Sequence, residues 1–196
     1  MKVYFLGGTF DPPHIAHLNI ALESLKQCQK FIFIPSKQSP HKEEKPYFEA
    51  AHRLEMLKIL ISGHQNIEID KFEINSTNKI SYTIDTVRYL IEKYKGASLH
   101  MIIGSDLIND IKSWKDWHEI NKRVKIICFK RVGYENISVD GIDVSFLDTV
   151  KLNISSSCIK KTISLNKSNN FEDFSDMISK NIYDYIYSHK LKMIQP

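Results

Sequence analysis

The sequence predicts a doubly wound, mostly parallel α/β sheet with C-terminal helices, on three observations. Short apolar, β-rich runs recur along the chain, segments of helical periodicity separate them, and a glycine pair follows the first run directly. Continuous apolar runs suit strands buried on both faces of a parallel sheet. Their alternation with helices is the pattern of a doubly wound fold. The runs are Val3–Leu6, Phe31–Ile34, Leu99–Ile103 and Val124–Phe129.

The helical segments follow in order. Leu18, Ala21, Leu22 and Leu25 form a first stripe, and Ala50, Leu54, Leu57 and Ile61 a second. Ile84, Val87, Ile91 and Tyr94 form a third, and Ile178, Ile182, Tyr185, Ile186 and His189 close the chain with a fourth. Two polar stretches, Pro35–Pro46 (PSKQSPHKEEKP) and Ser164–Asn170, read as surface loops. No repeat or linker interrupts the pattern, so a single domain over 1–196 is expected.

Composition narrows the classes. At 196 residues the chain can bury a sizeable core without staples. The 27 basic residues exceed the 23 acidic ones by a small, dispersed margin that suits phosphate-bearing ligands and does not single out nucleic acid. Cys28, Cys128 and Cys158 are scattered, against a disulfide framework or zinc ribbon, and are expected to be small buried hydrophobes in a reducing compartment. The apolar start MKVYFL stops at Leu6, short of the roughly seven residues of a signal core. With no stretch long enough to span a membrane, a cytoplasmic protein is expected.

The first chemical motif is GGTFDPPHIAH, residues 7–17. Gly7 and Gly8 turn the chain at the carboxyl end of the first strand, where α/β folds bind ligands, and leave room for a phosphate against the backbone. Pro12 and Pro13 point to a helix starting near His14. His14 and His17, spaced i and i+3, then share the face at that helix's positive end. An ordinary turn is the plain alternative for the glycines. Metal binding by the two histidines lacks matching ligands nearby, so no protein metal site is expected. The string also lacks the Gly-Lys-Ser/Thr ending of the common ATPase phosphate loop.

The second motif is ISSSCIKK, residues 154–161. Ser155, Ser156 and Ser157 precede a short helical pattern with Ile159 and Ile163 on one side. Serines cap helices, free N–H groups at a helix start bind anions, and Lys160 and Lys161 add positive charge. Read alone, the segment is better explained by a capped surface helix with solvated lysines.

Together the two motifs resemble the His-x-Gly-His and Ile-Ser-Ser-Thr-x-Ile-Arg elements of the nucleotidyltransferase superfamily, whose fold is Rossmann-like. Ala16 stands where that pattern has glycine, Ser157 where it has threonine and Lys160 where it has arginine. Lysine keeps the charge but lacks the planar fork. The strings PSKQSPHK (35–42), SYTIDTV (81–87), IIGSDLINDIKSWKDW (102–117), FKRVGY (129–134) and YIYSHKL (185–191) are similar to those of bacterial nicotinate-nucleotide adenylyltransferases, with Lys190 in place of a glycine.

That resemblance implies a reaction in which ATP and nicotinate mononucleotide give nicotinate adenine dinucleotide and pyrophosphate, with Mg²⁺ carried on the ATP phosphates. It also implies site residues. His14, His17 and Lys160 would be catalytic. Gly7, Gly8, Thr9, Phe10, Gly104, Asp106, Ile154, Ser155 and Ser156 would bind ATP. Lys42, Thr83, Trp114 and Lys115 would bind nicotinate mononucleotide. Neither nucleic acid nor membrane is an expected partner, and self-association stays open. A sister enzyme using nicotinamide mononucleotide, phosphopantetheine or glycerol phosphate is the nearest alternative reading. A non-catalytic nucleotide-binding module is the alternative of another class.

Overall fold

Continuous apolar runs have both faces to bury, and the computed structural model of the chain, which describes residues 1–38, 40, 44–129, 141–147, 154–165 and 170–191, gives each face its own core. In β1 (Lys2–Gly8), Tyr4 and Leu6 face one apolar cluster while Val3 and Phe5 face another. β2 (Lys30–Pro35) repeats the device, with Phe31 and Phe33 on the first face and Ile32 and Ile34 on the second. The two-residue period of a strand turns one unbroken hydrophobic run into two packed surfaces.

Four further strands complete the sheet: β3 (Ile67–Ile69), β4 (Ser98–Gly104), β5 (Lys125–Phe129) and β6 (Val144–Leu147). All pairings are parallel, in the order β3-β2-β1-β4-β5-β6. The three-residue β3 lies below the length at which a run announces a strand. β6 exposes Ser145 and Phe146 at the sheet's edge, so its sequence carries no buried alternation.

On the first face pack α1 (Ile15–Leu25), α2 (Ala50–Leu60), α6 (Ser156–Leu165) and α7 (Lys180–Ser188). On the second pack α4 (Thr83–Lys93), α5 (Trp117–Arg123) and a 3-10 helix, Ile108–Ser113. A short α3 (Phe72–Asn75) precedes α4, and a second 3-10 turn, Phe171–Phe174, precedes α7.

The helices lie where their periodicity predicts, but several stripes are rotated. α1 buries Ile20, Ala21 and Ser24, and exposes Leu22. α2 buries Arg53, Met56, Leu57 and Leu60, not the stripe through Ala50, Leu54 and Ile61. The cause is Arg53, a charged residue turned inward to serve three carbonyls, which an apolar count places outside. In α4, Leu90 replaces Ile91 in the buried set, and in α7 Tyr183 replaces Tyr185. Cys28 and Cys128 are buried as expected, whereas Cys158 is exposed on α6. Lys190, after the C-cap residue His189, takes φ 52°, the left-handed conformation that favours glycine there.

Among the described residues, no helix is long and apolar enough to cross a membrane.

Candidate active site

Strand order reverses direction at β1, since β2 and β4 flank it on opposite sides. At that switch point the connections leave to opposite faces and open a crevice beyond the strands' carboxyl ends. Register brings Gly8 level with Pro35 and Gly104 level with Phe129. A cavity of about 450 Å³ lies there, and its two walls belong to the two faces of the sheet. On the first-face side it is lined by His14, His17, Ser155, Ser156, Ser157 and Lys160. Thr83, Thr86, Leu107 and Trp114 line it on the second-face side. Gly7, Gly8, Thr9, Phe10, Gly104 and Asp106 close the base along the sheet edge.

The loop after β1 is tightly determined. Phe10 takes φ 50° and buries its ring against Phe33 and the edge of His17. A Cβ on Gly8 would lie 3.1 Å from that ring, so a side chain at Gly8 would have to displace it. A Cβ on Gly7 would meet nothing within 4 Å. The first glycine thus leaves open space, and the second admits Phe10.

His14 is the N-cap residue of α1, and the imidazoles of His14 and His17 stack 3.6 Å apart between ring centroids. The backbone N–H of His14 donates to His17 Nδ1 at 3.2 Å. A backbone N–H can only donate, so Nδ1 is the acceptor and the neutral ring carries its proton on Nε2. The capping contact therefore makes His17 a donor at its other nitrogen.

α6 is docked onto the same loop. Ser155 Oγ accepts the Cys158 N–H at 3.1 Å, as an N-cap serine does, and Ser156 Oγ donates to Pro12 O at 2.9 Å. Lys160 Nζ lies 3.3 Å from Asp11 Oδ2. The motifs, 144 residues apart at Ser156 and Pro12, thus form one wall.

Two residues of this wall were not picked out from sequence. Asp11, buried, accepts the N–H groups of Tyr47 and Phe48 at 2.8 Å each besides holding Lys160. Arg53, 1% exposed, donates to Thr9 O at 2.6 Å, Ser36 O at 2.8 Å and Phe48 O at 3.1 Å. Burial pulls the guanidinium below its usual range and Asp11 pushes it back up. Asp11 lay inside the motif, but a charge turned onto carbonyls from another helix leaves no local pattern.

A third unpredicted residue belongs to the second-face wall. Glu73, in α3, is 8% exposed, lines the cavity and accepts Thr86 Oγ1–H at 2.6 Å. Burial raises its carboxyl above the usual range, against hydrogen bonds from Thr86 and Ser81 that lower it.

The remaining expectations fall out as follows. Asp106 lines the cavity, next to Leu107, the N-cap residue of the 108–113 helix. Ile154 packs against the first-face core and does not line the cavity. Lys115 is also outside the lining, its ammonium 4.5 Å from the centre of the Tyr82 ring. Lys42 lies outside the described residues, as do residues 39 and 41 of one quoted string and 130–134 of another. Among the described residues no group of three His, Cys, Asp or Glu side chains is set to hold a metal ion. The first-face wall of the cavity offers N–H donors, hydroxyls and a lysine, which suit phosphates.

Comparison with known proteins identifies the family and the fold. The cytidylyltransferase-like family model matches residues 5–162. A Listeria monocytogenes protein named "Probable nicotinate-nucleotide adenylyltransferase" is 35% identical over 192 residues, covering 97% of this chain and 96% of its own length. A Clostridium acetobutylicum protein of the same name is 35% identical over 202 residues, covering 97% and 98%. Among solved structures, a Plasmodium falciparum nicotinic acid mononucleotide adenylyltransferase complexed with NaAD superposes with a TM-score of 0.77, at 22% identity, over 97% of this chain and 96% of that one. At that identity it speaks for the fold.

Proposed function

The chain belongs to the nicotinate-nucleotide adenylyltransferase family, and from that premise and its cavity we propose that it transfers the adenylyl group of ATP to nicotinate mononucleotide. The observation that carries the reading is the single wall formed by His14, His17, the start of α6 and Lys160 beside a base of glycines. It supplies donors and positive charge and needs no nucleophilic side chain.

ATP lies with its triphosphate along that wall. Ser155, Ser156 and Lys160 hold the outer phosphates, and Gly104 and Asp106 meet adenosine, the carboxylate accepting ribose hydroxyls. Mg²⁺ carried on the triphosphate would neutralise part of its charge, and no protein side chain is assigned to hold it. Nicotinate mononucleotide lies along the opposite wall, between Thr83 and Trp114, whose indole stacks on the pyridine ring.

An oxygen of the acceptor's 5′-phosphate attacks the α-phosphorus in line. One P–O bond forms as the bond to the β-phosphate bridge breaks, and the electron pair leaves on pyrophosphate. His17, its Nε2–H fixed by the capping contact, and His14 donate to charge that grows as the bond breaks. Such donors stabilise the transition state more than the ground state, and holding both substrates in line supplies the rest. The expected setting is the cytoplasm.

The direct experiment is product analysis with purified protein, ATP, Mg²⁺ and nicotinate mononucleotide. Equimolar nicotinate adenine dinucleotide and pyrophosphate are expected. ATP binding with no transfer to any phosphate acceptor would instead identify a nucleotide-binding module.

A further inference from the structure

Glu73 is a buried acid for which the transfer reaction, as described, has no use. It stands in a four-residue helix on the wall opposite the phosphate motifs, and it faces the cavity. A carboxylate in such a place is costly unless its oxygens are hydrogen-bonded. Thr86 Oγ1 donates to it at 2.6 Å, and the Ser81 hydroxyl stands near enough to lower its carboxyl. These two residues bracket Thr83: Ser81 precedes α4 and Thr86 lies one turn inside it.

The connection runs further. Ser81 Oγ accepts the Lys37 N–H at 3.2 Å, and the Ser81 N–H donates to Gln38 O at 3.0 Å. A hydroxyl that accepts from Lys37 still has its own proton to give, and Glu73 is the carboxyl beside it. The carboxyl of Glu73 therefore ties α3 to the first turns of α4, beside the contacts by which Ser81 joins the turn before α4 to the chain leaving β2. Without it Thr86 loses its acceptor, and the first turns of α4 keep the core packing of Ile84 and Val87 and the Ser81 bonds to Lys37 and Gln38 but lose their side-chain link to α3. No equivalent link runs from Glu73 to His14, His17 or α6 among the described residues.

We propose that Glu73 is a positioning residue for the acceptor nucleotide, fixing the 81–86 segment so that Thr83 and the start of α4 present a rigid wall to the pyridine ring. This rests on the assignment of Thr83 and Trp114 to the acceptor. The role is specific to one substrate, because the network touches the second-face wall and leaves the triphosphate wall alone.

The test is steady-state kinetics on Glu73→Ala, Glu73→Gln and Thr86→Val, with Trp114→Ala as the reporter of the acceptor site. Glu73→Ala should raise KM for nicotinate mononucleotide about tenfold, as expected when buried hydroxyls lose their acceptor, while KM for ATP stays within about twofold. Glu73→Gln keeps an oxygen for Thr86 and should restore most of the affinity. Thr86→Val, which keeps the carboxyl and the fold, should raise the same KM by about threefold. It stands in if Glu73→Ala does not fold. Parallel increases in both KM values would mean a general structural role and overturn the proposal. Unchanged acceptor KM in folded Glu73 and Thr86 variants, with a rise in Trp114→Ala, would overturn it while leaving the acceptor assignment intact. No acceptor effect in any of them, Trp114→Ala included, would overturn the assignment and the proposal together.

Discussion

The wall that carries His14, His17 and Lys160 takes its side chains from two short stretches of chain, whereas the wall that carries Thr83 and Trp114 is assembled from α3, α4 and the 108–114 segment. In the first, cap contacts place the functional groups: His14 N–H on His17 Nδ1, Ser155 on the start of α6, Ser156 on Pro12. In the second, a buried acid does so from a distance of 13 residues in sequence. The first wall is built for charge and the second for shape. A local motif can encode a charged site because its donors come from helix starts. A shaped site needs tertiary braces.

If the first wall stabilises developing charge, its loss should strike turnover. His17→Ala removes a donor placed by a cap contact, and kcat should fall by roughly a hundredfold or more, with acceptor KM changing much less. Near-normal turnover in a folded variant would take His17 out of the reaction. If the second wall binds by shape, its loss should strike affinity. Trp114→Ala forfeits stacking and buried area, so nicotinate mononucleotide should bind about tenfold more weakly while ATP affinity barely moves. An equal effect on both substrates would erase the distinction between the walls.

The smallest effect is expected at Lys160, which divides its charge between the cavity and Asp11. Lys160→Ala should raise KM for ATP severalfold, more than for the acceptor, roughly the value of one charge-assisted contact in a partly exposed site. Lys160→Arg should equal or better the wild type, since a guanidinium can bind phosphate through two bonds. Identical ATP affinity in wild type and Lys160→Ala would remove the residue from the phosphate site.

Legibility followed the same division. Runs such as Phe31–Ile34 announce central strands because both faces are apolar, whereas Ile67–Ile69 is too short and Val144–Leu147 too exposed to do so. Gly8, His14, His17, Ser156 and Lys160 lie in strings whose chemistry is local, and the cavity gathers all of them. Arg53 and Glu73 were invisible because each is a charge turned inward onto partners from other elements. The buried set of α2 departs from its apolar stripe for that reason. Ile154 and Lys115 share the strings of cavity-lining residues, yet one supports the core and the other lies against Tyr82.

One ratio bears on the central claim, that a phosphate wall and a nicotinate wall face each other across the switch point. It is kcat/KM for nicotinate mononucleotide over that for nicotinamide mononucleotide, measured by pyrophosphate release from ATP. Where donors meet the pyridine substituent, a carboxylate gains charge-assisted hydrogen bonds that an amide, turning its own N–H₂ toward them, does not. The expected preference is at least about a hundredfold, roughly 3 kcal/mol of discrimination. Comparable values with both acceptors would contradict the nicotinate assignment while leaving adenylyl transfer standing. Turnover of phosphopantetheine alone would move the chain to a sister activity.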